Sequence, residues 1–153
     1  MTDSVQPVRR VVVLADEHDV PHVVADGPSP HVHTLPGMPP DLGLTDLWYT
    51  GPDADQQDGA ARDLAVAPDP GGTLFRVVQF PPDGANEPFW HETSTCDYNV
   101  LLAGELVLLG TDPEVVLHAG DTVVVRGGKH AWSNRTDALA ILAAVSVSSE
   151  GRG

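Results

Sequence analysis

Two histidines and one aspartate lie in stretches whose spacing could bring their side chains together. In residues 90–98, four polar side chains share one parity, so an extended chain places them on one face. They are His91, Thr93, Thr95 and Asp97. Residues 120–134 run through an aliphatic stretch and a Gly-rich turn to His130. If the two segments are neighbours in a barrel, His91, Asp97 and His130 can converge inside it. Imidazole and carboxylate groups at such a point can bind a metal ion or transfer protons.

The other five histidines are weaker candidates for chemistry. His18, His22 and His118 are isolated, and a lone histidine in a β protein is more often a surface or hydrogen-bonded structural group than a ligand. His31 and His33 share a face in an extended chain, but no carboxylate is beside them in the sequence. We expect His33 to be the better candidate of the two if its segment packs over a pocket mouth.

Three further residues near His130 are candidates for the lining of a pocket. Trp132 has the same parity as His130, which favours an inward-facing ring that packs in the barrel or stacks on a planar substrate. Arg126 and Lys129 are two of the few cations in the chain and lie in the turn before His130. They either offset nearby carboxylates such as Asp121 or attract a carboxylate or enolate substrate.

The elements that must position these residues have the pattern of β-strands. Short β-branched or aliphatic runs, each bounded by Gly, Pro, Asp or Asn, predict strands. They span residues 10–14, 73–80, 98–102, 105–109, 121–125 and 139–147. A spacing of about ten residues is typical of an all-β sandwich or barrel. The tight turns at Gly104, Gly110 and Gly120 further predict a compact antiparallel meander from residue 98 onward.

Composition limits the classes of function. The chain has 153 residues, enough for one domain, with 22 acidic against 8 basic residues and a net charge of −14. Such a surface repels phosphate, which argues against nucleic acid and anionic membranes as partners. No apolar run is long enough to span a membrane, and the first residues lack the pattern of a signal peptide. A single cysteine, Cys96, excludes an internal disulfide and a Cys-based zinc cluster. We expect a cytoplasmic protein.

The two histidine stretches resemble the two motifs of the cupin superfamily, small β-barrels of the jelly-roll type. The first motif has two histidines one residue apart, then an acidic residue and a glycine. His91, Asp97 and Gly104 match it. The second motif begins with a glycine and ends with a histidine and an asparagine. Gly120, His130 and Asn134 match it, with one residue fewer before the histidine.

The resemblance implies an organisation for the whole chain. It predicts a jelly-roll-type β-barrel at residues 73–149. Residues 1–72, with an N-terminal β-arm and an acidic loop at residues 51–72, are predicted to pack on this barrel. Residues 33–37 and 47–49 are similar to the arm of a group of small bacterial and fungal cupins that often occur among secondary-metabolism enzymes. Cupins of this size commonly pair through such arms, so the resemblance also predicts a homodimer.

The resemblance further implies a metal site formed by His91, Asp97 and His130. Such a set of two histidines and one carboxylate suits a divalent Fe, Mn, Ni or Zn ion and leaves positions for water, substrate or dioxygen. Two departures from the family pattern weaken the ion's binding. Thr93 replaces the second histidine and could only hydrogen-bond a metal-bound water, and Asp97 replaces a longer glutamate.

Three functions follow from this site. The leading one is a metal-dependent enzyme acting on a small organic acid or carbonyl compound, as an oxygenase, decarboxylase, isomerase, cyclase or dehydratase. The second is a metal-free acid–base enzyme of the epimerase or dehydratase kind, in which a carboxylate orients a histidine base. The third is a barrel that only binds a small ligand.

Overall fold

The structure is a computed structural model that describes residues 5–34, 38, 41–51 and 63–149. Within this part of the chain all regular structure is β-strand. The strands are β1 Arg9–Ala15, β2 Pro21–Pro28, β3 Val32–His33, β4 Gly43–Thr50, β5 Thr73–Phe80, β6 Thr95–Ala103, β7 Glu105–Leu109, β8 Val115–His118, β9 Thr122–Arg126, β10 Ala131–Ser133 and β11 Ala140–Ser148. In the same residues no helix is long and apolar enough to cross a membrane.

The strands form two facing sheets and a separate hairpin. The larger sheet has the order β3-β4-β5-β11-β6-β9, and the smaller has the order β10-β7-β8. All pairings are antiparallel, including that of the β1–β2 hairpin. The predicted all-β fold of the jelly-roll type is therefore confirmed.

The hydrophobic core joins the two sheets. Its central cluster combines buried side chains of β6, β7, β8 and β11. They are Leu101, Leu106, Leu117, Ala140 and Leu142. Phe80, Val123 and Trp132 pack around this cluster, and Trp132 brings the core next to His130. The core therefore holds one of the two histidine segments against the larger sheet.

The predicted meander is wrong, because of its three turns only the one at Gly110 joins two strands that pair with each other. β6 passes through Gly104 directly into β7, which belongs to the other sheet. β6 pairs with β9 and β11, whereas β7 pairs with β8 and β10. Gly104 has a φ of +78°, and a Cβ there would lie 2.7 Å from the carbonyl oxygen of Leu139. Only glycine fits such a corner between sheets, and a glycine-rich turn in the sequence does not reveal which strand will be the partner.

The N-terminal part contributes to the larger sheet as well as forming the hairpin. β4 pairs with β5 along its length, and Arg10 of β1 donates a hydrogen bond of 3.3 Å from Nη1 to the carbonyl oxygen of Leu47. The predicted acidic loop at residues 51–72 falls partly on residues 52–62, which lie outside the described residues. The predicted division at residue 72 and the role of the hairpin as an arm stay predictions.

Two neighbouring leucines of β6 differ in burial, and this difference allows a test of the core. Leu101 is fully buried, whereas Leu102 is 53% exposed. We expect Leu101→Ala to lower the free energy of unfolding by about 2–5 kcal/mol, because it removes buried methyl groups and leaves a cavity. Leu102→Ala should change it by less than about 0.5 kcal/mol. Urea unfolding of both variants measures the difference, and equal losses would contradict this core.

Candidate active site

His91 and His130 are placed side by side by their backbones. The backbone amide of each histidine donates a hydrogen bond to the backbone carbonyl oxygen of the other. Both N···O distances are 3.0 Å. The two imidazole rings meet edge to face with a centroid distance of 4.3 Å. A residue pair in antiparallel register points its side chains to the same side, so the backbone fixes this contact.

The two histidines are oriented in the same way by carbonyl groups two residues earlier. Nδ1 of His91 lies 3.1 Å from the carbonyl oxygen of Phe89, and Nδ1 of His130 lies 2.8 Å from that of Gly128. Because a carbonyl oxygen can only accept, each Nδ1 carries the hydrogen. In the neutral rings, Nε2 is then left with its lone pair for a metal ion or a proton.

Asp97 supplies a carboxylate with an unused oxygen. It lies in β6, in register with Ser146 of β11 and Val125 of β9. Its Oδ1 is buried and has no hydrogen-bond partner among the described residues. A buried carboxylate oxygen without a partner is costly, which indicates a place for a cation or a donor that binds there.

These groups line one cavity between the sheets. Its volume is about 1050 Å³, which includes solvent at the mouth. Polar groups at one part of the wall are His91, Thr93, Asp97, Asn99 and His130. Apolar side chains such as Phe80, Phe89, Trp132 and Leu142 form much of the rest. The combination of an apolar wall with a few polar groups is typical of a small-molecule site.

His91 stays neutral to a lower pH than an ordinary histidine. Burial lowers its pKa from 6.5, and the neighbouring His130 lowers it further. The hydrogen bond to Phe89 and the charge of Asp97 act in the opposite direction without cancelling the effect of burial. A neutral imidazole is the form that ligates metals and accepts protons.

The structure brings most of the residues predicted for the site to the cavity. His91, Thr93, Asp97, His130 and Trp132 all line it. The predicted pocket residue Thr95 is buried and does not line the cavity, but its hydroxyl lies 2.7 Å from that of Thr93 and so holds Thr93 in place.

The two predicted cations lie elsewhere. Arg126 and Lys129 are exposed and do not line the cavity. β9 alternates exposed and half-buried residues, and Arg126 has the exposed parity together with Val124. Parity within β9 was therefore the signal that could have placed Arg126 outside the cavity.

A buried ion pair that the sequence analysis missed lies at the cavity wall. Arg76 of β5 lines the cavity, and its Nε donates to Oδ1 of Asp46 in β4 at 2.6 Å. The predicted pocket residue His33 does not line the cavity, but its Nε2 lies 3.5 Å from Oδ2 of Asp46. The available signal was the single charge of Arg76 inside the apolar run of residues 73–80.

Asn134 has a structural role beside the site. It is fully buried, and its Nδ2 donates to the carbonyl oxygens of Phe80 and Ala138. Its Oδ1 accepts from the amide and hydroxyl of Thr136. These contacts tie the end of β5 to the turn before β11 and so hold the cavity wall near Trp132.

The motifs and the fold lead to a family. The family model described as "Cupin domain" matches residues 76–147. These residues form a cupin domain. The crystal structure of a protein described as ethanolamine utilization protein Q, from Salmonella typhimurium LT2, is similar over 93% of this chain and 97% of its own. Its TM-score is 0.55 and its sequence identity is 16%, so the two proteins share a fold over nearly the whole of this chain.

Curated relatives of part of this chain come from fungal biosynthesis clusters. Phomopsin biosynthesis cluster protein C' of Diaporthe leptostromiformis is 40% identical over 68 residues, which are 44% of this chain and 35% of that protein. Oryzines biosynthesis cluster protein J of Aspergillus oryzae is 41% identical over 66 residues, which are 42% of this chain and 36% of that protein. The match spans about a third of the length of these relatives.

The cupin domain does not present a ready-formed metal centre. Among the described residues, no group of three or more His, Cys, Asp and Glu side chains is gathered as metal ligands are. The two histidine rings are in contact, but Asp97 is not drawn into a compact cluster with them. Thr93, where the family motif has its second histidine, adds no strong ligand.

The lowered pKa of His91 predicts a pH dependence of stability. Below about pH 6.5 the unfolded chain binds a proton at this histidine that the folded chain does not, so the free energy of unfolding falls as the pH falls. We expect metal-stripped wild type to lose more stability than His91→Gln between about pH 7.5 and 5.5. Urea unfolding at both pH values measures this, with the exposed His118→Gln as control. Equal losses in wild type and His91→Gln would contradict the shift.

Proposed function

We propose that the protein is a metal-dependent cupin enzyme of secondary metabolism that acts on a small organic acid or carbonyl compound. The observation that carries this proposal is the contact between His91 and His130. Both rings donate Nδ1–H to backbone carbonyl oxygens and keep Nε2 free at the wall of one cavity. Histidines that ligate metals commonly have their second ring nitrogen held in this way.

The donor chemistry of the cavity fits a divalent transition ion. His91 and His130 would hold the ion through Nε2, and the unpartnered Oδ1 of Asp97 would supply the carboxylate. Two imidazoles and one carboxylate suit Fe, Mn, Ni or Zn. A bound ion would polarise a substrate carbonyl or activate water or dioxygen. Because no compact cluster of three ligands is formed among the described residues, Asp97 would have to approach the histidines on binding.

The chain's own residues prepare the cavity for such chemistry. The apolar side chains of Phe80, Phe89 and Trp132 limit the access of water to the polar groups. Burial keeps His91 neutral, and the carbonyl oxygen of Phe89 prevents its ring from turning over. Thr93, held by Thr95, offers a hydroxyl to a bound water or substrate.

The role in secondary metabolism rests on the fungal relatives. Two of them come from the phomopsin and oryzines biosynthesis clusters, and they are 40% and 41% identical to this chain over 68 and 66 residues. The expected cytoplasmic location stays a prediction.

A metal-free acid–base enzyme is the second candidate. It is favoured by the absence of a compact three-ligand cluster among the described residues and by the lowered pKa of His91. In this case Nε2 of His91 would accept a proton from the substrate, and the charge of Asp97 would stabilise the imidazolium that forms. A barrel that only binds a small ligand is the remaining outcome.

Metal content separates these functions. We expect protein purified without added metal to hold up to one transition ion per chain, and stripped protein to melt higher on addition of Fe, Mn, Ni or Zn, because the ion binds only the folded state. His91→Ala and His130→Ala should remove the ion, and Asp97→Asn should weaken its binding by about tenfold or more. Elemental analysis and thermal melting measure both effects, with the exposed His118→Ala as matched control.

A wild type that holds no ion and whose melting does not respond to any of the four metals would sink the metal-dependent function. Turnover of a substrate by stripped protein, abolished by His91→Ala, would instead support the acid–base enzyme. Ligand binding that survives both histidine variants, without any turnover, would support the ligand-binding barrel.

We further propose that the chain forms a homodimer through the β1–β2 hairpin. Val13 and Val23 are opposite each other in the hairpin, and both side chains are more than half exposed. Such an apolar pair on a hairpin is suited to contact with a second copy.

Light scattering tests the dimer. We expect wild type at twice the mass of one chain and Val13→Lys/Val23→Glu at the mass of one chain. The opposite charges of the new side chains preserve the cross-strand pair within the hairpin but remove the apolar contact with a second copy. Val124→Lys, at an exposed valine of β9, is the control and should remain dimeric. A monomeric wild type would contradict the proposal.

A further inference from the structure

Arg76 is an unusual residue for the wall of this cavity. It is the only lysine or arginine among the described residues that line the cavity, although acidic side chains line it at Asp83, Glu87 and Asp97. It lies in the middle of β5, and only 7% of its surface is exposed. A guanidinium stays charged in any protein environment, so the cavity carries one fixed positive charge.

Most of the donors of this guanidinium are unused. Its single hydrogen bond with the described residues runs from Nε to Oδ1 of Asp46, and Nη2 is buried without a partner. A guanidinium has five N–H donors, and a buried donor without an acceptor is costly. The ion pair with Asp46 therefore leaves the terminal nitrogens of Arg76 for another acceptor.

Asp46 holds the guanidinium of Arg76 through a single hydrogen bond, from Nε. Its carboxylate is fully buried, with Oδ1 on Arg76 and Oδ2 3.5 Å from Nε2 of His33. Neither Oδ2 nor Nε2 has a hydrogen-bond partner among the described residues. Asp46 thus lies between Arg76 and His33, and only its Oδ1 is used by the guanidinium.

The sheet register connects Arg76 with the polar end of the cavity. Arg76 is in register with Ala144 of β11, which is in register with Asn99 of β6. Two strand spacings separate the Cα atoms of Arg76 and Asn99 by about 10 Å. Ala144 lines the cavity between them and Ser146 lines it beside Asp97, and these small side chains leave that space to a ligand.

We propose that Arg76 binds the carboxylate of the substrate through its terminal nitrogens. The cavity then takes a small organic carboxylate that lies across Ala144 and extends toward His91 and His130. A guanidinium and a carboxylate match in charge and in their two parallel hydrogen bonds. The position of the reacting end rests on the proposed function, whereas the anchoring of the carboxylate depends only on Arg76.

The test compares two probes that have the same shape and differ in charge, benzoate and benzamide. Calorimetric titration of metal-stripped wild type at pH 7.5 avoids binding of the carboxylate to an ion. We expect benzoate to bind at least about tenfold more tightly than benzamide, because its hydrogen bonds to the guanidinium are charge-assisted.

The first variant removes the ion pair as a unit. Arg76→Met alone would leave Asp46 as a buried unpaired charge and could unfold the protein, so it is combined with Asp46→Asn. The double variant should bind benzoate and benzamide with the same affinity. The control is Arg135→Met/Glu114→Gln, which removes an exposed ion pair with an Nη1–Oε2 distance of 2.9 Å. This control variant should still prefer benzoate to benzamide. Near-ultraviolet circular dichroism checks the fold of both.

The second variant leaves the ion pair in place and fills the space beside it. Ala144→Leu should weaken benzoate and benzamide together, because a larger side chain would occupy the path between Arg76 and the histidines. Unchanged affinity for both probes in Ala144→Leu would show that they bind outside the cavity and would overturn the assignment.

Equal affinities of wild type for the two probes, or a preference that persists in Arg76→Met/Asp46→Asn, would overturn the role of Arg76. Metal uptake by the same double variant keeps this inference apart from the proposed function. We expect uptake equal to that of wild type, since the ion is assigned to the histidines. A preference for benzoate that depends on Arg76, in a protein that takes up no metal, would support the carboxylate anchor while contradicting the metal-dependent enzyme.

Discussion

The insertion of β11 between β5 and β6 is the constraint on which the rest of the structure depends. This strand pairs with β5 and β6 along almost its whole length, so these two consecutive strands lie two strand spacings apart, with a segment distant in the sequence between them. Its residues Ala140 and Leu142 are in the core, and the small side chains of Ala144 and Ser146 line the cavity. This one strand therefore joins the two halves of the larger sheet, supplies part of the core and lines the cavity with small side chains.

The cavity that results has two polar regions with different chemistry. At one, His91 and His130 present imidazole rings whose Nδ1 atoms donate to backbone carbonyl oxygens. At the other, Arg76 keeps a fixed positive charge beside Asp46. The net charge of the chain is −14, so most of its surface repels anions. The buried guanidinium of Arg76 would instead attract an anionic ligand into the cavity.

Much of the fold and part of the site could be predicted from local sequence. Period-2 runs bounded by turn residues depend on neighbouring residues only, which is why residues 73–80 and 105–109 were predicted with the bounds of β5 and β7. The pairing of strands depends on contacts between distant residues, and the predicted meander was wrong for that reason. Arg126 was likewise misplaced toward the pocket, because nearness to His130 in sequence did not decide which face it occupies.

The sequence by itself determined the strand-forming segments, the tight glycine turn at Gly104 and the two stretches that carry His91 and His130. These follow from local sterics and alternation, which act within a few residues. Only the tertiary structure decided that the two histidines share a backbone bridge, that a buried oxygen of Asp97 has no hydrogen-bond partner among the described residues, and that Arg76 faces the cavity. The reason is that each depends on sheet register between segments brought together by folding, and register is set by the packed core as a whole.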